Sequence, residues 1–143
     1  MPPFDPDTGY LPSGIHLACW QDVEQRLAGS EHRRRLLLGL RDAVLNLTTA
    51  GCRRVYLDGS FATAKPVPRD YDACWEVSGV DPERLDPIFL LPGKPGRQIQ
   101  KTKYGGEWFP VGAHSARAWL GFFQHDREGV EKGILAMDLG MAQ

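Results

Sequence analysis

Apolar runs such as Leu36-Leu37-Leu38 fall far short of the about 20 residues that span a bilayer, which excludes a membrane-spanning chain. Met1-Pro2-Pro3-Phe4-Asp5 has neither the basic start nor the apolar stretch of a signal peptide, so a cytoplasmic location is expected. An excess of either charge is also missing. The 17 basic and 18 acidic residues leave a net charge of −1, which gives no global field to hold a nucleic-acid polyanion or an anionic membrane. Cysteine is scarce: Cys19, Cys52 and Cys74 are odd in number and lack CxxC spacing, which excludes a disulfide scaffold and a zinc ribbon. Cys52 and Cys74 flank apolar stretches and fit small core positions. His16 and Cys19 could form half of a metal site, but His32, His114 and His125 supply no second matching pair, so zinc is not expected. Repeats and low-complexity tracts are absent. What remains is 143 residues, 42% of them hydrophobic, the size of one compact domain with an adequate core.

Pro2, Pro3, Pro6 and Pro12 with Gly9 and Gly14 block helix and sheet at the start, so residues 1–14 are expected to form a Pro-rich arm on the surface of a single domain spanning 1–143. A short helix is expected over Asp22–Leu27. Ser30 then caps a longer one that stops at Gly51, on which Leu36, Leu37, Leu40, Val44 and Leu47 recur at three- and four-residue spacing. Arg33-Arg34-Arg35 on that helix reads as a solvated face. Strands are expected over Arg53–Leu57, Tyr71–Val77, Glu107–Val111 and Gly133–Leu139, where apolar residues alternate with polar ones or cluster in short runs. A short helix over Glu83–Leu91 is followed by a Gly/Pro loop at Pro92–Gly96. Ser115 caps a helix carrying Ala118, Trp119, Phe122 and Phe123, which breaks at Asp126-Arg127-Glu128-Gly129. Helices alternating with strands predict an α/β or α+β domain, a small mixed sheet with helices packed on it.

The chemistry concentrates between Leu57 and Ala73. Gly59-Ser60 follows a strand and opens a helical turn expected over Phe61–Lys65. A glycine there lets backbone amides approach a phosphate closely, and the turn adds the positive end of its dipole. Ten residues after Ser60, Asp70 and Asp72 stand two apart on a strand, which points both carboxylates to one face at roughly 7 Å. Two such anions repel each other unless a cation such as Mg²⁺ or Mn²⁺ keeps both ionised and accepts phosphate oxygens in its remaining positions. Lys65, Arg69, Lys101, Lys103, Arg127 and Lys132 are the cations that could reach those oxygens, with Lys65 favoured because it follows the turn closely.

Gly59-Ser60 and Asp70-Tyr71-Asp72 resemble the signature of the nucleotidyltransferase superfamily of the DNA polymerase β type: an apolar residue, Gly, Gly or Ser, about ten residues, then Asp, an apolar residue, and Asp or Glu. Asp58 departs from it, standing where an apolar residue is usual. Over nearly its full length the chain is also similar to the DUF6932 type, through its Pro-rich start, Tyr56-Leu57-Asp58-Gly59-Ser60-Phe61, Phe122-Phe123-Gln124 and Lys132-Gly133-Ile134. The superfamily resemblance implies a third carboxylate on a neighbouring strand. Glu107 is the matching candidate, with Asp138 on the last strand and Asp86, in a Pro-bounded and solvated segment, as rivals.

The superfamily resemblance implies a metal-dependent nucleotidyltransferase with Asp70, Asp72 and Glu107 as catalytic and metal-binding residues and Gly59 and Ser60, joined by the favoured Lys65, as nucleotide-binding ones. It would transfer NMP from a nucleoside triphosphate to a hydroxyl, with Mg²⁺ or Mn²⁺ as cofactor. Small members of the superfamily pair with helical toxins, which makes a toxin-like protein the expected partner and acceptor by analogy of fold. The alternative is a non-catalytic module of the same fold that binds a protein partner. Such a module has no need of its acids, so Glu107 pointing away from Asp70 and Asp72 would mark it. A metal-dependent phosphohydrolase would add histidine ligands, and none of the four histidines lies in this motif.

Overall fold

The computed structural model describes residues 1–112, 128–129 and 132–139 and, for Ser60, the backbone alone. The helix expected from Ser115, with its Trp119, Phe122 and Phe123, lies outside these residues, as do His114, His125 and Arg127. Among the described residues the elements run β1 (Ile15–Leu17), α1 (Trp20–Leu27), α2 (Glu31–Thr49), β2 (Arg54–Asp58), β3 (Tyr71–Glu76), α3 (Gly93–Tyr104), β4 (Gly106–Val111) and β5 (Ile134–Asp138), with short 3₁₀ turns at Ser60–Ala62 and Pro87–Leu90. The strands form one mixed sheet in the order β1-β5-β2-β3-β4. β2 is antiparallel to both β3 and β5, whereas β1 pairs parallel to β5 and β4 parallel to β3. No helix among the described residues is long and apolar enough to cross a membrane.

The α2 helix starts where Ser30 accepts a hydrogen bond from the Arg33 amide at 3.1 Å, and its apolar stripe of Leu36, Leu37, Leu40, Ala43 and Leu47 is buried. That stripe packs with Val23 and Leu27 of α1, with Tyr104 of α3, and with Val55, Leu57, Ala73, Trp75, Trp108, Leu135 and Met137 of the sheet. α1, α2 and α3 therefore share one face. Tyr56, Cys74, Val111, Ile134 and Ala136 form a separate buried cluster on the other, as the period of two along a strand requires. Cys52 and Cys74 are the small core residues expected, with burial pushing their thiols up to about 11 and about 12.

Two expectations are corrected. The Gly/Pro stretch at Pro92–Gly96 is not a loop but the start of α3. Pro92 stands at the cap and Pro95 in the first turn, where backbone N–H groups have no partner inside the helix and proline costs nothing. The expected helix over Glu83–Leu91 shrinks to the 3₁₀ turn Pro87–Leu90. Residues 1–14 carry neither helix nor strand, and the short strand β1 that follows them adds to the sheet edge beside β5. Gly39 explains how α3 comes to lie against α2: a Cβ there would stand 2.1 Å from the Tyr104 carbonyl oxygen, a contact only glycine permits.

Candidate active site

Register alone brings the acids together. Asp58 pairs with Asp72 across β2 and β3, and Asp72 pairs with Glu107 across β3 and β4, so the three stand in a row on neighbouring strands spaced roughly 4.8 Å apart. All three have the parity of Tyr56 and Cys74, which sets them on the face away from α1, α2 and α3. Tyr71, between Asp70 and Asp72, is the anchor that fixes this orientation. Its ring is fully buried edge-on to Trp108 at 5.8 Å, its hydroxyl donates to the Tyr104 carbonyl at 2.8 Å, and it accepts from the Trp108 indole at 3.1 Å. Gly106 opens the way for β4, since a Cβ there would meet the Tyr71 ring at 2.4 Å.

Gly59 lies in the left-handed region, with φ of +76°, and a Cβ would sit 2.5 Å from the Asp72 carboxylate. The backbone thus runs directly alongside the Asp72 carboxylate and leaves no room for a side chain at this position. The following turn is tighter than expected: instead of a helix reaching Lys65, the backbone of Ser60 opens a single 3₁₀ turn that ends at Ala62, with the Ala62 amide donating to the Gly59 carbonyl at 3.1 Å. So short a turn adds little dipole and leaves close backbone approach as its contribution. Gly59→Ala is expected to cost about 2 kcal/mol or more from the left-handed backbone and the collision together, read as a lower urea midpoint.

What holds the turn was missed in the sequence. Arg33 is not solvated but 5% exposed. Its guanidinium donates to the carbonyls of Leu27 at 3.2 Å, Phe61 at 2.9 Å, Thr63 at 2.6 Å and Lys65 at 2.6 Å, and it lies 5.1 Å over the Phe61 ring. One side chain from α2 thereby fixes the chain between the Gly-Ser turn and Lys65. The signal was present, because Arg33 falls four and seven residues before Leu37 and Leu40, on the buried stripe itself.

The electrostatics follow from crowding. Burial, then repulsion from Asp70, Glu107 and Asp58, raises the Asp72 carboxyl to about 6, with Lys132 offsetting part of this. Asp58 is raised by burial and pulled back by Lys132 and the Gly59 amide. The Lys132 ammonium stands 3.7 Å from Asp58 Oδ1. On the other flank Lys101 Nζ bridges Asp70 at 3.2 Å and Glu107 at 3.1 Å, and Arg97, one turn earlier on α3, approaches Glu107 at 3.9 Å. Lys65 and Arg69 line an open depression with Asp70, Gln98 and Lys101.

The rivals to Glu107 are employed elsewhere. Asp138 pairs with Arg54 at 2.5 Å at the end of β2 opposite Asp58. Asp86 is not solvated: it caps the Pro87–Leu90 turn and accepts from Lys103 and from the Tyr104 hydroxyl, which also removes Lys103 from the phosphate-reaching cations. His16 contacts the Pro12 carbonyl at 2.7 Å.

Among the described residues no three His, Cys, Asp or Glu side chains form a ready-made metal cage. The donor set still suits a hard divalent cation. It is all oxygen, and the repulsion that lifts Asp72 is of the kind added positive charge relieves.

The chain is thus an α/β domain whose mixed sheet carries α1, α2 and α3 on one face and a row of carboxylates on the other. Its sequence matches the family described as "Family of unknown function (DUF6932)" over residues 2–138, and the chain belongs to that family. No curated protein and no solved structure matches it.

Proposed function

We propose that this domain is a metal-dependent nucleotidyltransferase that moves NMP from a nucleoside triphosphate to a hydroxyl acceptor. One observation carries the reading: Asp72 stands in register with Glu107 on the next strand while the Gly59 backbone runs against its carboxylate. This combines acids and a close-approach turn where a phosphate chain could meet both. Asp70, Asp72 and Glu107 would hold Mg²⁺ or Mn²⁺, which when bound supplies positive charge to the phosphate oxygens. The Gly59-Ser60 backbone admits a phosphate without steric hindrance. Lys65 and Arg69, exposed on the depression beside Asp70, offer cations to the remaining phosphates. Glu107 accepts the proton of the acceptor hydroxyl as its oxygen attacks the α-phosphorus and pyrophosphate leaves. Alignment of the two reactants supplies much of the rate.

A partner-binding module without catalysis called for Glu107 to turn away, and its placement level with Asp72 favours the enzyme. The near-neutral charge favours a protein or small-molecule acceptor over a polynucleotide, in keeping with a toxin-like partner in the cytoplasm. Isothermal titration of ATP and GTP, with and without Mg²⁺, tests the site in wild type and in Asp70→Ala/Asp72→Ala. Metal-dependent binding confined to wild type is expected, with at least about a hundredfold loss in the double variant. No binding by wild type under any condition would overturn the proposal in favour of the module.

A further inference from the structure

We propose that Lys101 is an exchangeable cation, seated between Asp70 and Glu107 until a divalent ion takes its place and then turned to a phosphate held against Lys65 and Arg69. The inference rests on the reading of the site given above. Lys101 Nζ lies 3.2 Å from Asp70 Oδ2 and 3.1 Å from Glu107 Oε1. A Mg²⁺-type ion held by the same two carboxylates would need that same space, so ammonium and metal exclude each other there. The displaced group has a destination. Lys101 lines the depression that also holds Lys65 and Arg69, and Asp70 is the one acid in that lining. Once Asp70 is engaged by the ion, three cationic side chains face the depression with no competing carboxylate, a set that recognises a polyphosphate.

The helix permits the movement without moving itself. Gln100, next to Lys101, is 1% exposed; its amide donates to the Ile88 carbonyl at 3.1 Å and accepts from the Trp108 amide at 2.9 Å. These bonds pin α3 to the Pro87–Leu90 turn and to β4. The Lys101 side chain is about one-third exposed on a flexible four-carbon stem, so it can swing by rotamer change alone.

Two titrations on the full chain test this, using Lys101→Met and, should that variant fold poorly, Lys101→Gln. The first follows free Mn²⁺ by its electron paramagnetic resonance signal; the second follows magnesium tripolyphosphate by calorimetry. Removing the internal competitor is expected to tighten Mn²⁺ binding by about tenfold, and removing one of three phosphate partners to weaken tripolyphosphate binding by about tenfold. Equal Mn²⁺ affinity in wild type and variant would overturn the exchange while leaving the metal site standing. Tighter Mn²⁺ with unchanged tripolyphosphate would overturn the second seat. Mn²⁺ binding by neither protein would instead overturn the metal reading itself.

Discussion

Asp72→Asn is expected to raise the melting temperature at pH 7.5 while abolishing metal-dependent nucleotide binding. The Asp72 carboxyl is lifted from an ordinary 3.8 to about 6, first by burial and then by Asp70, Glu107 and Asp58. The native state therefore holds this proton more tightly than the unfolded chain. Stability is fully present below about pH 4, is lost as pH rises between about 4 and about 6, and stays reduced above, by roughly 3 kcal/mol for a shift of this order. Asparagine keeps the shape and removes the charge, so at pH 7.5 it gains several degrees, whereas below pH 4 the two proteins melt together. Thermal melts by circular dichroism at pH 3.5 and pH 7.5 check this. A variant less stable than wild type at pH 7.5 would show that Asp72 is a structural group and not a strained functional one.

Arg33→Met is expected to be the most destabilising single change on the helix face of the site, costing about 3 kcal/mol or more. The guanidinium satisfies carbonyls of Leu27, Phe61, Thr63 and Lys65 together, and methionine takes this donor from the three buried bonds to Leu27, Phe61 and Thr63. Arg33→Lys does not rescue, since a single ammonium cannot reproduce the planar fork. The loss is local as well as global: amide exchange between Phe61 and Lys65 quickens by more than the drop in overall stability explains. Uniform acceleration across the sheet would mean that Arg33 supports the core and not the turn.

How much of this was readable beforehand depends on the range over which each residue acts. Tyr71–Glu76 and Arg54–Asp58 alternate or run apolar within one element, so their faces follow from period alone, and with them the face of Asp72. The Ser30 cap and the leucine stripe likewise marked α2. Gly93–Tyr104 was hidden because Pro92, Gly93, Pro95 and Gly96 punctuate a loop in most contexts. Its helical signal is the four-residue spacing of Gly96, Gln100 and Tyr104, which becomes a buried face only against Leu91, Trp108 and Gly39. Lys101 was consequently one cation among six, since its place between Asp70 and Glu107 exists only once α3 is built beside β4. Asp58 was seen as a departure from the superfamily pattern; its position level with Asp72 came from strand pairing, which no local pattern specifies.

The most direct test of the central claim is a crystal structure of the wild-type chain grown with Mn²⁺ and a non-hydrolysable ATP analogue, with anomalous scattering recorded for manganese. An anomalous peak is expected about 2.2 Å from carboxylate oxygens of Asp70, Asp72 and Glu107, with Lys101 withdrawn and the phosphates against Gly59. A nucleotide bound elsewhere, or an acid row in which Lys101 still bridges Asp70 and Glu107 under saturating Mn²⁺, would contradict it.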